Sequence, residues 1–553
     1  MNPPIETELK LRIAPAAIAS LRASPAIAAA ALGPWRVARL DNRYFDTKDH
    51  ALANHRLALR LRRVGRRWVQ TLKAAGAEPD GALTARSEWE SPVDGPRLAL
   101  YRLRTTPLGA LGSPRSLASR LAPVFTTNFR REARLLALRD GMTVEMAIDR
   151  GVVTTGRGRT RRRAAICEVE LEIKDAGAVH GDDAHAELLR FAMRLSRQFP
   201  LLPLAESKAA RGARLVAGRA REPARVVLPV TAADADATAH ALAVISACAR
   251  VAIENLHALI DATDVDTTAT GLIGAVDPEF VHQARVAVRK LRSATHVFGR
   301  VLGKRRVRRI DDAWREVGRM LGGVRDWDVF MGSLPDIVGR MGDEAPADPT
   351  PAIDGVGDER LYLDADDMAA MHARADGQRA VAQHVLADAL ASPAPGFAAL
   401  VVERERLSLL RRDRAALPVE DLAREWLDAQ EDRVLALARR IASLDDETRH
   451  RLRIEIKRLR YGLEFFAGLF DDEAYVDVLG DLQEELGKLT DAVVQRARIP
   501  SLFDGTADGA IALRAASNYD AWLRRRLVKK LPKVASLAVS LEMNGRPWHA
   551  TAR

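Results

Sequence analysis

Three things are scarce in this sequence. Aromatic residues make up 5% of the 553 residues. Proteins that grip single-stranded nucleic acid stack bases on aromatic rings, so the shortage argues against that partner. Cysteine occurs twice, as Cys167 and Cys248. Two thiols allow one disulfide at most, exclude a thiolate metal cluster and suit a reducing compartment. No uninterrupted apolar run reaches 18 residues, and the Ala-rich stretch at 26–33 is too short to span a bilayer. The N-terminal MNPPIETELK carries charge where a signal peptide would place its apolar core. The expectation is a cytoplasmic protein with no membrane partner.

What is present is a globular composition, 47% hydrophobic and 29% charged. Lys plus Arg number 85 against 74 Asp plus Glu, a net charge of +11 that favours an anionic partner. At roughly 100–200 residues per domain, the length predicts several domain-sized units.

The first ~215 residues alternate apolar and polar residues with the period of strands, at 5–13, 57–62, 68–73, 86–90, 144–149 and 166–174. A helix is predicted near 184–198 and a basic, Pro-containing linker near 216–230. From about 232 onward helical periodicity dominates. The predicted organisation is therefore a domain at 1–218, a linker at 219–231 and a helical domain at 232–545. Residues 331–370 depart from the helical pattern with a net charge of −8, and their middle, 342–357, reads as a flexible acidic loop. Repeat units near 232–330 and 372–545 flank this acidic insertion. HQARVAVRKLRSATHVF at 282–298 aligns with HRLRIEIKRLRYGLEFF at 450–466, and LGGVRDWDVF at 321–330 with LGKLTDAVVQ at 486–495, matching Asp326 to Asp491.

In the strand region Glu6, Glu8 and Lys10 fall on one face of a strand, with Ile5, Leu9 and Leu11 opposite. Glu168, Glu170 and Glu172 repeat the pattern, as do Arg60 with Arg62, Thr71 with Lys73, and Arg86 with Glu88 and Glu90. For any single strand a charged face is simply the wet one. Five such strands together point instead to a barrel with charged groups converging inside. Crowded carboxylates repel, Mg²⁺ relieves the repulsion, and the cations suit a phosphate chain. Cys167 sits on the opposite parity from Glu168 and reads as a small buried residue, not a nucleophile.

In order, ETELK (6–10), YFDT (44–47), LALRLRR (57–63), WVQTLK (68–73), Phe129 with Arg131, AIDRG (147–151), ICEVELEIK (166–174) and ESK (206–208) resemble the CYTH, or triphosphate tunnel metalloenzyme, superfamily. The resemblance implies an α+β domain, an eight-stranded antiparallel β-tunnel with flanking helices that hydrolyses triphosphates with Mg²⁺ or Mn²⁺. It implies metal-binding or catalytic roles for Glu6, Glu8, Glu168, Glu170 and Asp149. Lys10, Arg60, Arg62, Lys73, Arg131 and Lys208 match the phosphate-gripping cations, and Glu172, Glu88, Glu90 and Arg86 are additional tunnel residues. The family often places Trp three residues after the Phe-x-Arg arginine; here Arg134 stands there.

In the helical region His282, Arg285, Arg289, Arg292 and His296 lie within an arc of ~80° of a helix. His450, Arg453, Lys457 and Arg460 repeat the stripe. A solvated face in an Arg-rich chain is the bland reading, but repetition with the histidine in register weakens it. These segments resemble the CHAD domain. The resemblance implies an all-α module of two pseudo-symmetric helical bundles that binds inorganic polyphosphate through His282, Arg285, Arg289, Lys290, Arg292, His296, His450, Arg453, Lys457, Arg458 and Arg460. Abundant Arg with few aromatics suits a base-free polyanion better than single-stranded nucleic acid, while duplex nucleic acid competes on charge alone.

The expected function is hydrolysis of tripolyphosphate to pyrophosphate and phosphate, joined to polyphosphate binding, in the cytoplasm or at polyphosphate granules. The alternatives are a polyphosphate-binding or granule-associated protein with a vestigial tunnel, and a nucleoside or thiamine triphosphatase or cyclase.

Overall fold

The computed structural model describes residues 5–75, 83–179, 181–264, 277–343, 365–411, 415–502 and 530–549. It divides into two compact units. Unit 1 comprises Met1–Pro223 with Leu390–Asp413, and unit 2 comprises Ala224–Ala389 with Arg414–Arg553.

Among the described residues unit 1 has nine strands: β1 (Ile5–Arg12), β2 (Arg36–Asp46), β3 (Leu57–Val64), β4 (Arg67–Ala75), β5 (Leu83–Val93), β6 (Ala122–Ala137), β7 (Thr143–Thr155), β8 (Arg162–Asp175) and β9 (Leu202–Pro203). They form one antiparallel sheet in the order β5-β4-β3-β2-β6-β7-β8-β1-β9, and β5 also pairs with β1. This corrects the expected eight-stranded tunnel. A ninth strand joins the sheet, pairing Pro203 with Leu11 and Leu202 with Arg12.

The face expected to be charged is only partly so. Leu40, Tyr44, Phe125, Phe129, Val153 and Ile166 form an apolar cluster there, and Ala209, Leu215 and Val216 of the helix Lys208–Ala217 pack against it. That helix lies on β6, β7 and β8, so it occupies space that an open tunnel would leave to solvent. Gly212 makes the close approach possible. A Cβ there would lie 2.1 Å from Cε2 of Phe125. On the other face of β3 and β4, Leu57, Leu59 and Leu72 pack with Leu100, Leu103, Leu108 and Leu117.

The helix Ala394–Leu410 belongs to unit 1 and packs on β9 and on the helix Asp182–Ser196. Gly396 runs so close to the Leu201 carbonyl that a Cβ would sit 1.9 Å from it. Arg197 stacks on Phe397 at 5.3 Å, and Arg411 pairs with Asp183 at 2.7 Å.

The helical half is built of long helices within unit 2. The two basic helices, Glu279–Val297 and Asp446–Phe465, pack against each other. The helix Lys304–Asp343 runs through the start of the acidic segment and another begins at Ala365; of the predicted loop at 342–357, residues 342 and 343 end the first helix and 344–357 lie outside the described residues. The helix Ala237–Asp264 is long and apolar enough over Ala237–Ala262 to cross a membrane, but most of it is buried within the protein. It carries buried His240, Asn255 and His257, and Asn255 hydrogen-bonds both backbone groups of Ala224. A core helix accounts for these features.

Candidate active site and basic surface

Burial separates the two readings of the charged strand faces. Glu8 is 4% exposed, Lys10 7%, Asp149 and Glu168 0%, and Lys208 7%. A solvated face would leave these groups in water. Ions held this deep need partners, and the register supplies them. Lys10 lies opposite Glu170, Arg131 opposite Asp149, and Asp149 opposite Glu168.

Lys208 stands where three carboxylates converge. Its Nζ is 2.7 Å from Asp149 Oδ2 and 2.9 Å from Glu170 Oε1, and it also pairs with Glu168. Arg131 grips Asp149 through two bonds, Nε to Oδ1 at 2.8 Å and Nη2 to Oδ2 at 2.7 Å, and also donates to Glu170. Lys10 donates to Glu8 at 2.6 Å, and Arg211 donates to Glu168 at 3.3 Å. Among the described residues these four carboxylates and four cations sum to zero, and Arg211 also reaches Glu206 at 3.5 Å. Burial disfavours the Glu170 carboxylate, but Lys208, Arg131 and Lys10 outweigh it and hold its pKa well below the usual range. Burial likewise opposes the Lys208 ammonium, and Asp149, Glu168 and Glu170 overcome it to push its pKa up.

Lys208 is placed by its helix. Ser207 caps the first turn by accepting from Ala210 N at 3.1 Å. Glu206 binds Arg214 and Arg221, each at 2.8 Å. Burial would raise the Glu206 pKa, but the arginines hold it below its ordinary value.

A second group lies on β3, β4 and β5. Glu88 accepts Lys73 at 2.8 Å and Arg60 at 3.5 Å, and Thr71 donates to Glu90 at 3.3 Å. Among the described residues Arg60 Nε is buried without a hydrogen-bond partner. Arg62 donates through Nε to the neutral Asn42 at 2.9 Å and forms no carboxylate ion pair among the described residues. Burial, then Arg60 and Arg131, pull its pKa down to about 10. Donors of this kind are suited to an anion supplied from outside.

These groups border a cavity of about 1130 Å³, lined among others by Glu8, Lys10, Arg60, Arg62, Lys73 and Lys208. Arg131, Glu88, Glu90, Glu170 and Glu172 line it as well, and Glu172 also pairs with Lys174 at 2.5 Å. Asp149 and Glu168 are fully buried and are held by Arg131 and Lys208 of this lining. The backbones of Glu6 and Arg86 pair across β1 and β5, but their side chains lie outside the described residues. Arg211 and Asn42 were not singled out from the sequence; Arg211 follows Lys208 at helical spacing, a signal that was there to read.

Oxygen atoms of Asp149, Glu168 and Glu170 all lie within 4.8 Å of one another. Hard oxygen donors at this spacing suit Mg²⁺ or Mn²⁺. The Lys208 ammonium already stands among them, so the carboxylates are arranged to hold a cation.

In unit 2 the predicted stripe divides. Lys290 turns to Glu464 at 2.6 Å, Arg292 to Asp311 at 2.8 Å with His296 at 3.6 Å, Arg458 to Glu455 at 2.7 Å, and Arg460 to Glu464 at 3.4 Å. Arg289 donates to the Tyr461 hydroxyl at 2.6 Å. Arg285 shares Asp326, at 3.4 Å, with Arg498, at 2.8 Å. Burial lowers the pKa of both His282 and Arg285. Arg325 then adds most to the shift at His282, and Arg289 at Arg285. The sequence reading did not single out Arg325, Arg498 or Tyr461. His450 is exposed, and Arg453 and Lys457 are half-buried.

The repeats share a contact. A Cβ on Gly322 would lie 2.8 Å from Arg285 Nη1, and one on Gly487 3.4 Å from Arg453 Nη2. The repeated Leu-Gly thus lets the matched arginine pass over each helix. The side chain of Asp491 lies outside the described residues.

Comparison with known proteins finds two family matches along the chain, the second of which includes the helix Ala394–Leu410 of unit 1. Residues 4–211 match the CYTH domain and residues 256–500 the CHAD domain. An inorganic triphosphatase of Haemophilus influenzae is 30% identical over 142 residues, which are 24% of this chain and 36% of that protein. The chain therefore spans about a third of that relative's length. The crystal structure of the CHAD domain from Ricinus communis is 25% identical, with a TM-score of 0.45, covering 58% of this chain and 97% of that one. A putative adenylyl cyclase from Hippeastrum, described as having a dominant triphosphatase activity, is 19% identical with a TM-score of 0.26, covering 39% of this chain and 97% of that one.

Proposed function

Because the chain is a CYTH domain fused to a CHAD domain, we propose that it hydrolyses tripolyphosphate in the unit 1 cavity and binds inorganic polyphosphate on unit 2. The observation that carries the first half is a buried cation set with donors to spare. Among the described residues Arg60 Nε has no hydrogen-bond partner and Arg62 donates only to the neutral Asn42, and three carboxylates of the same unit are spaced for a cation. Partial identity to an inorganic triphosphatase supports the same reaction class.

In this reading Arg60, Arg62 and Lys73 hold the phosphate chain, and Arg131 and Lys208 neutralise charge at its reacting end. A water oxygen attacks the terminal phosphorus, the bridging P–O bond breaks, and pyrophosphate leaves. Phosphoryl transfer needs positioning and charge neutralisation above all, and buried cations supply both. A divalent cation held by Asp149, Glu168 and Glu170 would add Lewis-acid stabilisation of the phosphate oxygens.

Unit 2 binds polyphosphate through His282, Arg285, Arg289, Arg453 and Lys457, with Arg325 and Arg498 adding to the field. Crowded cations that already lower the Arg285 pKa are relieved by a polyanion. The setting is the cytoplasm, including polyphosphate granules.

The test is phosphate release by the full chain from tripolyphosphate, ATP, thiamine triphosphate and long-chain polyphosphate, with and without Mg²⁺. Mg²⁺-dependent release that is fastest from tripolyphosphate is expected. Faster release from either organic triphosphate, or none from any substrate, would overturn it.

A further inference from the structure

Resting on the reading of the unit 1 cavity as a phosphate-chain hydrolase, we propose that the β3–β4 hairpin forms a further subsite for the fourth and later phosphates of linear polyphosphate. The hairpin would set the chain length that the enzyme accepts. A second cavity of about 520 Å³ lies there, bordered by Arg66, Arg67 and Trp68 and by Glu90 and Asp94. Glu90 and Ser91 line both this cavity and the larger one, so the two adjoin.

Register extends the line of cations from one cavity into the other. Arg60 pairs with Thr71, Arg62 with Val69, and Val64 with Arg67. Arg67 therefore shares a face with Arg60 and Arg62, one pleat repeat, about 7 Å, beyond Arg62. A chain gripped at Arg60 and Arg62 reaches Arg67 by continuing along the strands.

Access agrees with this path. Arg66 and Arg67, which border the second cavity, are exposed, while Arg63 and Arg43 lie on the opposite face of the strands. Two arginines and two carboxylates thus border it, and one of these carboxylates, Asp94, also interacts with Arg102. The Arg43 guanidinium lies over the Trp68 ring, 5.9 Å from its centroid. That ring face is taken by a cation, while Arg66 and Arg67 offer a phosphate tail their exposed guanidinium groups.

The test uses the full chain and two substrates, tripolyphosphate and tetrapolyphosphate. Arg66→Ala/Arg67→Ala is expected to lower kcat/KM for tetrapolyphosphate about tenfold, through KM, and for tripolyphosphate less than about twofold. Arg66→Lys/Arg67→Lys, which keeps the charge, should recover most of the loss. An unchanged ratio between the substrates in an active protein overturns the subsite alone. A wild-type protein that releases phosphate from neither substrate overturns the cavity reading and the subsite with it.

Discussion

Both units concentrate cations, but they do so on opposite electrostatic terms. In unit 1 Lys10, Arg131, Lys208 and Arg211 are each matched by a buried carboxylate, and among the described residues these cations and their four carboxylates sum to zero. In unit 2 Arg285 and Arg498 share Asp326, and burial together with the neighbouring Arg289, Arg325 and Arg498 lowers the Arg285 pKa. A neutral buried network gives geometry; a crowded half-exposed cluster gives attraction. The first suits a reaction that demands fixed positions, and the second suits capture of a long flexible anion.

The sharpest way to break this contrast is to unbalance unit 1. Asp149→Asn removes a partner from both Arg131 and Lys208. Phosphate release should fall by about a thousandfold, the scale set by losing a transition-state cation. Stability should fall by about 3 kcal/mol, the low end for an opened buried pair, read by denaturant melts. A variant with full activity and full stability would mean that the network is ornamental.

Unit 2 should respond to charge reversal without losing its fold. With Arg285, Arg289, Arg453 and Lys457 changed to Glu, polyphosphate affinity should drop at least about a hundredfold and the salt slope should flatten, as fewer counterions are released. Tripolyphosphate hydrolysis should stay within about twofold. Competition titration at two salt concentrations reads the effect. Displacement of polyphosphate by duplex DNA at equal charge would replace a polyphosphate site with a general polyanion surface.

A smaller effect tests what positions Lys208. Gly212→Ala drives a methyl group into Phe125. The helix must shift, costing about 1–3 kcal/mol in a thermal melt, with a rise in KM as Lys208 moves. A silent substitution would show that the helix does not set the site.

The smallest effect is a pH dependence of unit 2. Burial, Arg325, Arg289 and Arg285 hold the His282 pKa below its usual value. A bound polyanion raises it, so binding takes up protons and strengthens as pH falls. Between about pH 8 and about pH 6 affinity should rise a few-fold, and His282→Gln should remove that component.

Much of this contrast was legible in the chain. Strand parity put Glu8, Lys10, Glu168 and Glu170 on common faces, and the matched Arg285 and Arg453 do cross matched glycines. β2 and β6 were not read as strands. Their outward positions are arginine-rich and their inner face includes Asn42 and Thr127, so exposure alternates where hydropathy does not. The apolar patch around Phe125 was hidden because its members are far apart in sequence and meet only across paired strands. The place of Ala394–Leu410 in unit 1 was also invisible. Apolar periodicity marks a buried face without naming the surface it covers, and here that surface is β9 and the helix Asp182–Ser196. Lys290 and Arg292 share a helix with the basic stripe, but only the neighbouring helices reveal Glu464 and Asp311 as their partners.

The central claim is that the buried carboxylates of unit 1 make a metal-dependent site for hydrolysis of a phosphate chain. The most direct measurement is orthophosphate release from tripolyphosphate by the wild-type chain and by Glu170→Gln, each with Mg²⁺ and with a chelator, alongside circular dichroism melts. The account predicts Mg²⁺-dependent release by the wild type and at least about a hundredfold less by a folded Glu170→Gln. Equal release by the two proteins, or release by the wild type that the chelator leaves untouched, would contradict it.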